Sequence, residues 1–140
     1  VQNVASWSAL IAGYAQLGQA KKVLHIFQKN IVDKGIMPNL VTFILAITAC
    51  SHAGLVREGC QQFASMKDDY GITPMIDHYN CMIDLLARVG RLDEAENMIN
   101  TMPCESTNVS WMALLSACRD QGDLERGERA ADRASSLEMI

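Results

Sequence analysis

The residue types that most often carry chemistry, histidine and cysteine, are thinly spread along this chain. The three histidines stand far apart: His25, His52 and His78. The five cysteines form no C-x-x-C pair and lie within apolar helical patterns: Cys50, Cys60, Cys81, Cys104 and Cys118. A zinc site needs close ligand spacing, and a disulfide framework needs an even number of cysteines. The sequence therefore predicts no metal site and no disulfide, and it predicts Cys50 and Cys118 as core residues.

Other catalytic signatures are also absent from the sequence. It contains no glycine-rich phosphate loop, no G-x-S-x-G elbow and no H-x-E with P-C-x-x-C, the zinc deaminase pattern. The sequence therefore predicts neither catalytic residues nor a cofactor.

A repeat with fixed landmarks organises the chain instead. Glycines recur in steps of 36, 36 and 32 residues: Gly18, Gly54, Gly90 and Gly122. An aromatic residue stands eleven positions before each of them: Trp7, Phe43, Tyr79 and Trp111. Such a period is typical of stacked-repeat proteins. No run of about 18 apolar residues is present, so no membrane span is predicted.

Each repeat has the periodicity of two helices. Apolar residues follow each aromatic at i+3, i+4 and i+7, which is one face of a helix of about three turns. The glycine then ends that helix in the left-handed conformation, and a second apolar pattern follows, which includes Leu124 in the last unit. Small residues in the second helices, such as Gly127, predict close approach of the paired helices. The predicted fold is all-α, a right-handed α-solenoid of helix-turn-helix repeats in a single array.

Four stretches of the chain resemble the pentatricopeptide repeat, in the land-plant subclass that mixes longer and shorter repeats. VASWSALIAGY at residues 4–14 and ACSHAGLV at residues 49–56 resemble the repeat itself. YNCMIDLLARVGRLDEA at residues 79–95 resembles the short repeat before the C-terminal extension, and WMALLSACR at residues 111–119 resembles the first extension motif. The resemblance divides 1–140 into a repeat at 4–39, a longer-type repeat at 40–75, a short repeat at 76–107 and a C-terminal extension motif at 108–140.

The resemblance implies sequence-specific binding of single-stranded RNA, with one base read by each repeat. The implied readers are the residue after the aromatic and the last residue of the repeat. Those pairs are Ser8 with Asn39, Ile44 with Met75, and Asn80 with Thr107, while Met112 has no clear partner. Apolar residues expected to press against the base are Ala5, Val41 and Val109, and Asp77 departs from this pattern.

Ile44 and Met75 have no group suited to reading a base edge. That repeat either spaces its neighbours or contacts a protein, and Ile44 and Met75 are the candidate surface for a partner protein.

The charge balance predicts weak RNA binding by this segment alone. Twelve basic residues against sixteen acidic ones give a net charge of -4, whereas a protein held by phosphates carries a basic stripe. Most basic residues fall in second helices among acidic ones, where ordinary exposed ion pairs are predicted. The candidates for backbone contact on the first helices are His52, Arg88 and Arg119.

In function, the resemblance implies an organellar RNA-recognition protein, in a mitochondrion or chloroplast, that directs cytidine-to-uridine editing. An editing-factor partner protein or a deaminase acting in trans would then be its partner. Two alternatives stay open: a protein-interaction scaffold within a larger assembly, and an RNA stability or processing factor. Because the chain starts inside a repeat pattern, we expect a segment of a longer protein whose apolar ends favour self-association.

Overall fold

The computed structural model describes residues 22, 24–26, 29 and 38–138, and these residues form helices and the connections between them. The helices are α1 (Leu40–Ala53), α2 (Val56–Asp68), α3 (Ile76–Arg88), α4 (Leu92–Thr101), α5 (Asn108–Gln121) and α6 (Leu124–Glu138). No strand occurs in this part of the chain, so the all-α prediction is confirmed. None of the helices described is long and apolar enough to cross a lipid bilayer.

These residues form two compact units, one ending at Pro74 and the other beginning at Met75. The first unit contains the hairpin of α1 and α2. The second contains the hairpins α3–α4 and α5–α6, with α5 packed against α3, α4 and α6. The first helices begin at the starts of the predicted segments 40–75, 76–107 and 108–140, whose repeat classes stay a prediction.

The core of the first unit is centred on Phe43. Its side chain is fully buried with those of Ala46, Ala49 and Met66. The Tyr70 ring lies against it with the ring centroids 5.8 Å apart. An aromatic pair of this kind adds stability beyond the apolar area that it buries, so the repeat aromatic holds α1 onto the segment that follows α2.

The predicted apolar faces of the described first helices are confirmed in part. Trp111 and Leu114 are buried on α5, and the residues equivalent to Leu114, Ala46 on α1 and Met82 on α3, are buried as well. Tyr79 and Leu115, which belong to the same faces, are only partly buried. On the second helices, predicted core residues that are buried include Met66, Ala95, Ile99 and Ala134.

The prediction for Leu124 is wrong, because this side chain is 80% exposed. Its repeat equivalent, Leu92 at the start of α4, is only 7% exposed, since α5 packs on α4. No described helix follows α6 to cover Leu124 in the same way. Contact between α6 and α5 is made further along, where Ala130 and Ala134 are buried.

The landmark glycines that the structure describes lie at the ends of first helices as predicted, and Gly18 lies outside the described residues. Gly54 and Gly122 are the C-caps of α1 and α5, with φ of 70° and 75°. Gly90, just past the C-cap of α3, has φ of 89°. A side chain is disfavoured in this left-handed region, which explains glycine at the landmark position. Close helix approach is confirmed at Gly127, where a Cβ would lie 3.5 Å from Cys118 Cβ.

Cys50 and Cys118 are buried core residues, as predicted, and all five cysteines are free thiols. Burial, with smaller effects of Glu58 and Cys60, raises the pKa of Cys50 to about 12, so this thiol stays protonated and unreactive. The expectation that all five cysteines lie within apolar helical patterns is wrong for two of them. Cys60 is exposed on α2, and Cys104 lies in the connection after α4 and not within a helix.

Arg126 on α6 joins the second helices of the last two hairpins. Its guanidinium donates to Glu96 Oε1 on α4 at 3.0 Å and to Asp123 Oδ2 at 2.5 Å, and it also contacts the Asp93 carboxylate. Arg129 donates to both Glu96 oxygens at 3.0 and 3.1 Å. The predicted ion pairing is present, but Arg126 and Glu96 are more enclosed than expected, with side chains only 16% exposed.

Candidate nucleic-acid interface

The described candidate residues recur at the same three positions, around the N-terminal turns of α1, α3 and α5. Asn39, Met75 and Thr107 are the N-cap residues, whose backbone is extended. In α1, α3 and α5, respectively, the second helical residue is Val41, Asp77 and Val109. The fifth helical residue is Ile44, Asn80 and Met112 in the same order. All nine are exposed or partly exposed. Each first helix therefore begins with a small accessible surface made from the predicted positions.

A buried polar residue shapes each of these turns. Thr42 Oγ1, His78 Nδ1 and Ser110 Oγ accept the backbone N–H of their N-cap residue at 2.7, 3.1 and 3.2 Å. The three side chains are fully buried. Each satisfies a backbone donor beside the helix start and fixes the chain direction there. The sequence reasoning missed them, although a polar residue directly before each repeat aromatic was the available signal.

Two further hydrogen bonds join Asn39 to Thr42. Its Oδ1 accepts the backbone N–H of Thr42 at 3.0 Å, while Thr42 Oγ1 donates to the Asn39 carbonyl at 2.7 Å. The exposed side chain is therefore an N-cap as well as a candidate reader. Its predicted partner Ser8, and Ala5, lie outside the described residues.

Asn80 and Thr107 come together although 27 positions separate them in the sequence. Asn80 Nδ2 lies 3.5 Å from Thr107 Oγ1, and Asn80 Oδ1 accepts the Ser110 hydroxyl at 2.5 Å. Thr107 is exposed and Asn80 is partly buried. An amide and a hydroxyl together offer both donors and acceptors, so this pair can address the polar edge of a base.

Apolar side chains occupy the other candidate positions at these helix starts. Val109 and Met112, beside Thr107 in sequence, are 62% and 45% exposed. Val41 and Met75 are also exposed, whereas Ile44 is partly buried in α1; Ile44 and Met75 belong to different units. These exposed apolar side chains are therefore accessible to a ligand at the predicted positions.

Further along α3 and α5, the charges are nearly balanced. A cleft of about 390 Å³ is lined by Asp84, Arg88, Ser116, Asp120 and Gln121 among others. Arg88 Nε donates to Asp84 Oδ2 at 2.9 Å, so the positive charge already has a partner. His52 and Arg119, in the last turns of α1 and α5, are exposed. Electrostatic attraction of a phosphate backbone to this surface is therefore weak.

Comparison with known families and sequences gives a consistent result. A model described as pentatricopeptide repeat domain matches residues 2–51 and 27–91, and a PPR repeat model matches residues 77–106. The mitochondrial pentatricopeptide repeat-containing protein At3g53360 of Arabidopsis thaliana is 46% identical over 137 residues, covering 98% of this chain and 18% of that protein. Another Arabidopsis thaliana protein of the same description, At4g33170, is 44% identical over 140 residues, covering 100% of this chain and 14% of that protein. The chain thus spans less than a fifth of these relatives.

Solved structures share the fold. The crystal structure of the pentatricopeptide repeat protein PPR10 from maize matches 99% of this chain and 20% of its own, with a TM-score of 0.77 and 16% identity. A structure of PPR10 with an 18-nucleotide psaJ RNA element covers 99% of this chain and 24% of its own, with a TM-score of 0.51 and 18% identity. The match confirms the predicted helical-repeat solenoid fold.

Proposed function

This chain belongs to the pentatricopeptide repeat family, and we propose that it is part of a protein that binds single-stranded RNA sequence-specifically in a plant organelle. In this role the predicted readers Asn39, Asn80 and Thr107, at the N-terminal turns of α1, α3 and α5, contact bases. The maize relative solved with an RNA element supports this class of ligand.

The contact between Asn80 and Thr107 carries the proposal. An unstacked base needs polar partners for its edge and an apolar surface for its face. Asn80 Nδ2 and Thr107 Oγ1, 3.5 Å apart, supply the polar partners. Val109 and Met112 supply exposed apolar surface next to Thr107. No other described pair of predicted readers lies within one unit.

We propose a mitochondrion or chloroplast as the compartment, since the pentatricopeptide repeat-containing proteins similar to this chain include mitochondrial ones. Within it, the protein acts as a specificity factor for cytidine-to-uridine editing. The motifs at residues 79–95 and 111–119, which resemble the short repeat and the extension motif of that subclass, support this role. A deaminase acts in trans or through an editing-factor partner, for which Ile44 and the exposed Met75 are the contact candidates.

The two alternatives to editing are a protein-interaction scaffold and a factor for RNA stability or processing. The net charge of -4 and the pairing of Arg88 with Asp84 suit a protein-interaction scaffold. A factor for RNA stability or processing would need the same base-reading surface but no deaminase.

RNA selection tests the base-reading proposal. The intact protein that carries these repeats is incubated with a pool of random-sequence RNA, and bound RNAs are sequenced for the wild type and for Asn80→Ala and Thr107→Ala. We expect both variants to lose the base preference at one and the same RNA position by about tenfold, the size of one bidentate base contact. Asn100→Ala, an exposed change on the second helix α4, is the matched control. Unchanged preferences in both variants would exclude base reading by this pair.

Sequencing of organellar transcripts separates the roles. In plants that lack the protein, loss of uridine at a defined edited position supports the editing role. Normal editing with altered transcript ends or abundance supports a processing factor, and normal transcripts support the scaffold.

A further inference from the structure

Ser110 connects the helix cap of α5 to the predicted base reader on α3. It is the third residue of α5, fully buried, and therefore out of reach of a ligand. Its hydroxyl nevertheless lies 3.2 Å from Thr107 N, 3.5 Å from Thr107 Oγ1 and 2.5 Å from Asn80 Oδ1. No position of this kind was among the predicted site residues.

The direction of these hydrogen bonds follows from their chemistry. The Thr107 backbone N–H can only donate, so Ser110 Oγ accepts it. The Ser110 hydroxyl keeps its own hydrogen to donate, and Asn80 Oδ1 accepts it at 2.5 Å, within the range of O–H···O bonds.

This bond is not a necessary part of the helix cap. At the same position of α1, Thr42 also accepts the N-cap N–H, but its hydroxyl donates to the Asn39 carbonyl. Ser110 instead directs its hydrogen to a side chain of the neighbouring hairpin. The contact with Asn80 is thus a separate feature of this turn.

We propose that Ser110 is a positioning residue that determines which atoms of Asn80 read the base. The proposal rests on the proposed function. With Oδ1 bonded to Ser110, the amide presents its NH₂ group on the side of Thr107, where Nδ2 lies 3.5 Å from the hydroxyl.

A fixed donor has a defined preference among bases. The pairing edges of cytosine and uracil each present two acceptors, whereas that of guanine presents two donors and one acceptor. An NH₂ group held toward the ligand therefore favours a pyrimidine and disfavours guanine. Without the Ser110 hydroxyl, the Asn80 amide can rotate and present its oxygen to the base. The discrimination between pyrimidines and guanine then falls.

The test compares Ser110→Ala with Ser110→Thr in the intact protein, by the same selection from random-sequence RNA. Ser110→Ala is expected to lower the pyrimidine-to-guanine ratio at the Asn80 position roughly three- to tenfold, the range of one net hydrogen bond. Ser110→Thr keeps a hydroxyl, and Thr42 shows that threonine fits this helical position. This variant is expected to keep the wild-type pyrimidine-to-guanine ratio. Ser135→Ala, an exposed change on the second helix α6, is the control.

The results distinguish this proposal from the proposed function. If Asn80→Ala abolishes the preference while Ser110→Ala preserves it, Ser110 is only a helix cap and this proposal is overturned. If neither variant changes any position, both proposals are wrong.

A second variant covers the case in which Ser110→Ala fails to fold. Asn80→Asp leaves Ser110 in place, and one carboxylate oxygen accepts its hydroxyl while the other replaces the NH₂ group. The preference should then move toward guanine. A retained pyrimidine preference in Asn80→Asp overturns the proposal.

Discussion

At the first turn of α1, one side chain has two roles. Asn39 Oδ1 caps the helix through the Thr42 N–H at 3.0 Å, and the same exposed amide is the proposed reader of a base. A substitution that removed the cap would change helix stability and base contact together, so its effect on RNA binding could not be assigned to either role. Asp is the residue that separates them, because it caps a helix about as well as Asn.

We predict that Asn39→Asp changes base preference without a loss of stability. One carboxylate oxygen keeps the cap, and the other offers an acceptor where the amide offered a donor. Preference at the corresponding RNA position should move from adenine to guanine, by roughly 1 to 3 kcal/mol if the contact resembles other bidentate readout. RNA binding by the intact protein and thermal melts measure the two effects. An unchanged adenine-to-guanine ratio would indicate that Asn39 is a cap alone.

The sequence led to the proposed reader positions but not to the residue that supports Asn80. Asn80 and Thr107 were identified through the resemblance, which states which repeat positions face a ligand. Ser110 was not, because a serine before an aromatic has many roles, and only the folded helices bring its hydroxyl to 2.5 Å from Asn80. Hydrogen bonds between residues 30 apart depend on helix packing, which periodicity alone does not define.

At the scale of the helices, the apolar faces depend on single large side chains. Leu114 on α5 is fully buried, and Glu125 on α6 is exposed. We predict that Leu114→Ala costs about 2 to 5 kcal/mol of unfolding free energy, because it leaves a cavity. Glu125→Ala should cost under about 0.5 kcal/mol. Thermal or denaturant unfolding of both variants measures the difference, and equal stabilities would contradict the assigned helix faces.

Helices α4 and α6 are also held by charge. The hydrogen bond from Arg129 lowers the pKa of Glu96 most strongly; burial opposes this effect, and Arg126 lowers the pKa further. A carboxyl whose pKa is lower in the folded state stabilises the fold above its ordinary pKa. That contribution is lost as the pH falls through the lowered pKa.

We therefore predict a pH-dependent cost for Glu96→Gln. At pH 7 the variant should be less stable than the wild type, because two arginines lose a charged partner that is 16% exposed. Below the lowered pKa the two proteins should be equally stable, since Glu96 is then protonated. Urea unfolding at several pH values between 7 and 3 measures this. Glu125→Gln is the control, and a difference that stays constant across this range would contradict the role of the ion pairs.

Which apolar residues of a second helix are buried could be predicted only in part. Leu92 and Leu124 occupy equivalent positions and were assigned alike from their spacing. Leu92 is 7% exposed and Leu124 is 80% exposed. The difference comes from α5, which packs on α4. Periodicity identifies an apolar face, whereas burial depends on the neighbouring helix that covers it.

Over the whole chain, sixteen acidic residues exceed twelve basic ones. Two arginines are candidates for phosphate contact at the ends of first helices, and one of them, Arg88, is paired with Asp84 at 2.9 Å. The other, Arg119, is exposed in the last turn of α5. In the proposed function, affinity for RNA therefore comes mainly from base contacts, which depend little on salt, and only slightly from phosphate contacts.

We predict a shallow salt dependence of RNA binding by the 140-residue chain. For single strands, the slope of log K against log salt concentration is about -0.7 for each phosphate neutralised, so one or two contacts give a slope of roughly -1. Asp84→Asn should steepen it by up to about 0.7, because Arg88 is released toward the phosphate, while Asp132→Asn on the second helix α6 should leave it unchanged. Fluorescence anisotropy with a labelled RNA chosen by selection, over a range of potassium chloride concentrations, measures the slopes. A wild-type slope steeper than about -3 would show that lysines and arginines of the second helices bind phosphates as well, contrary to the charge distribution described above.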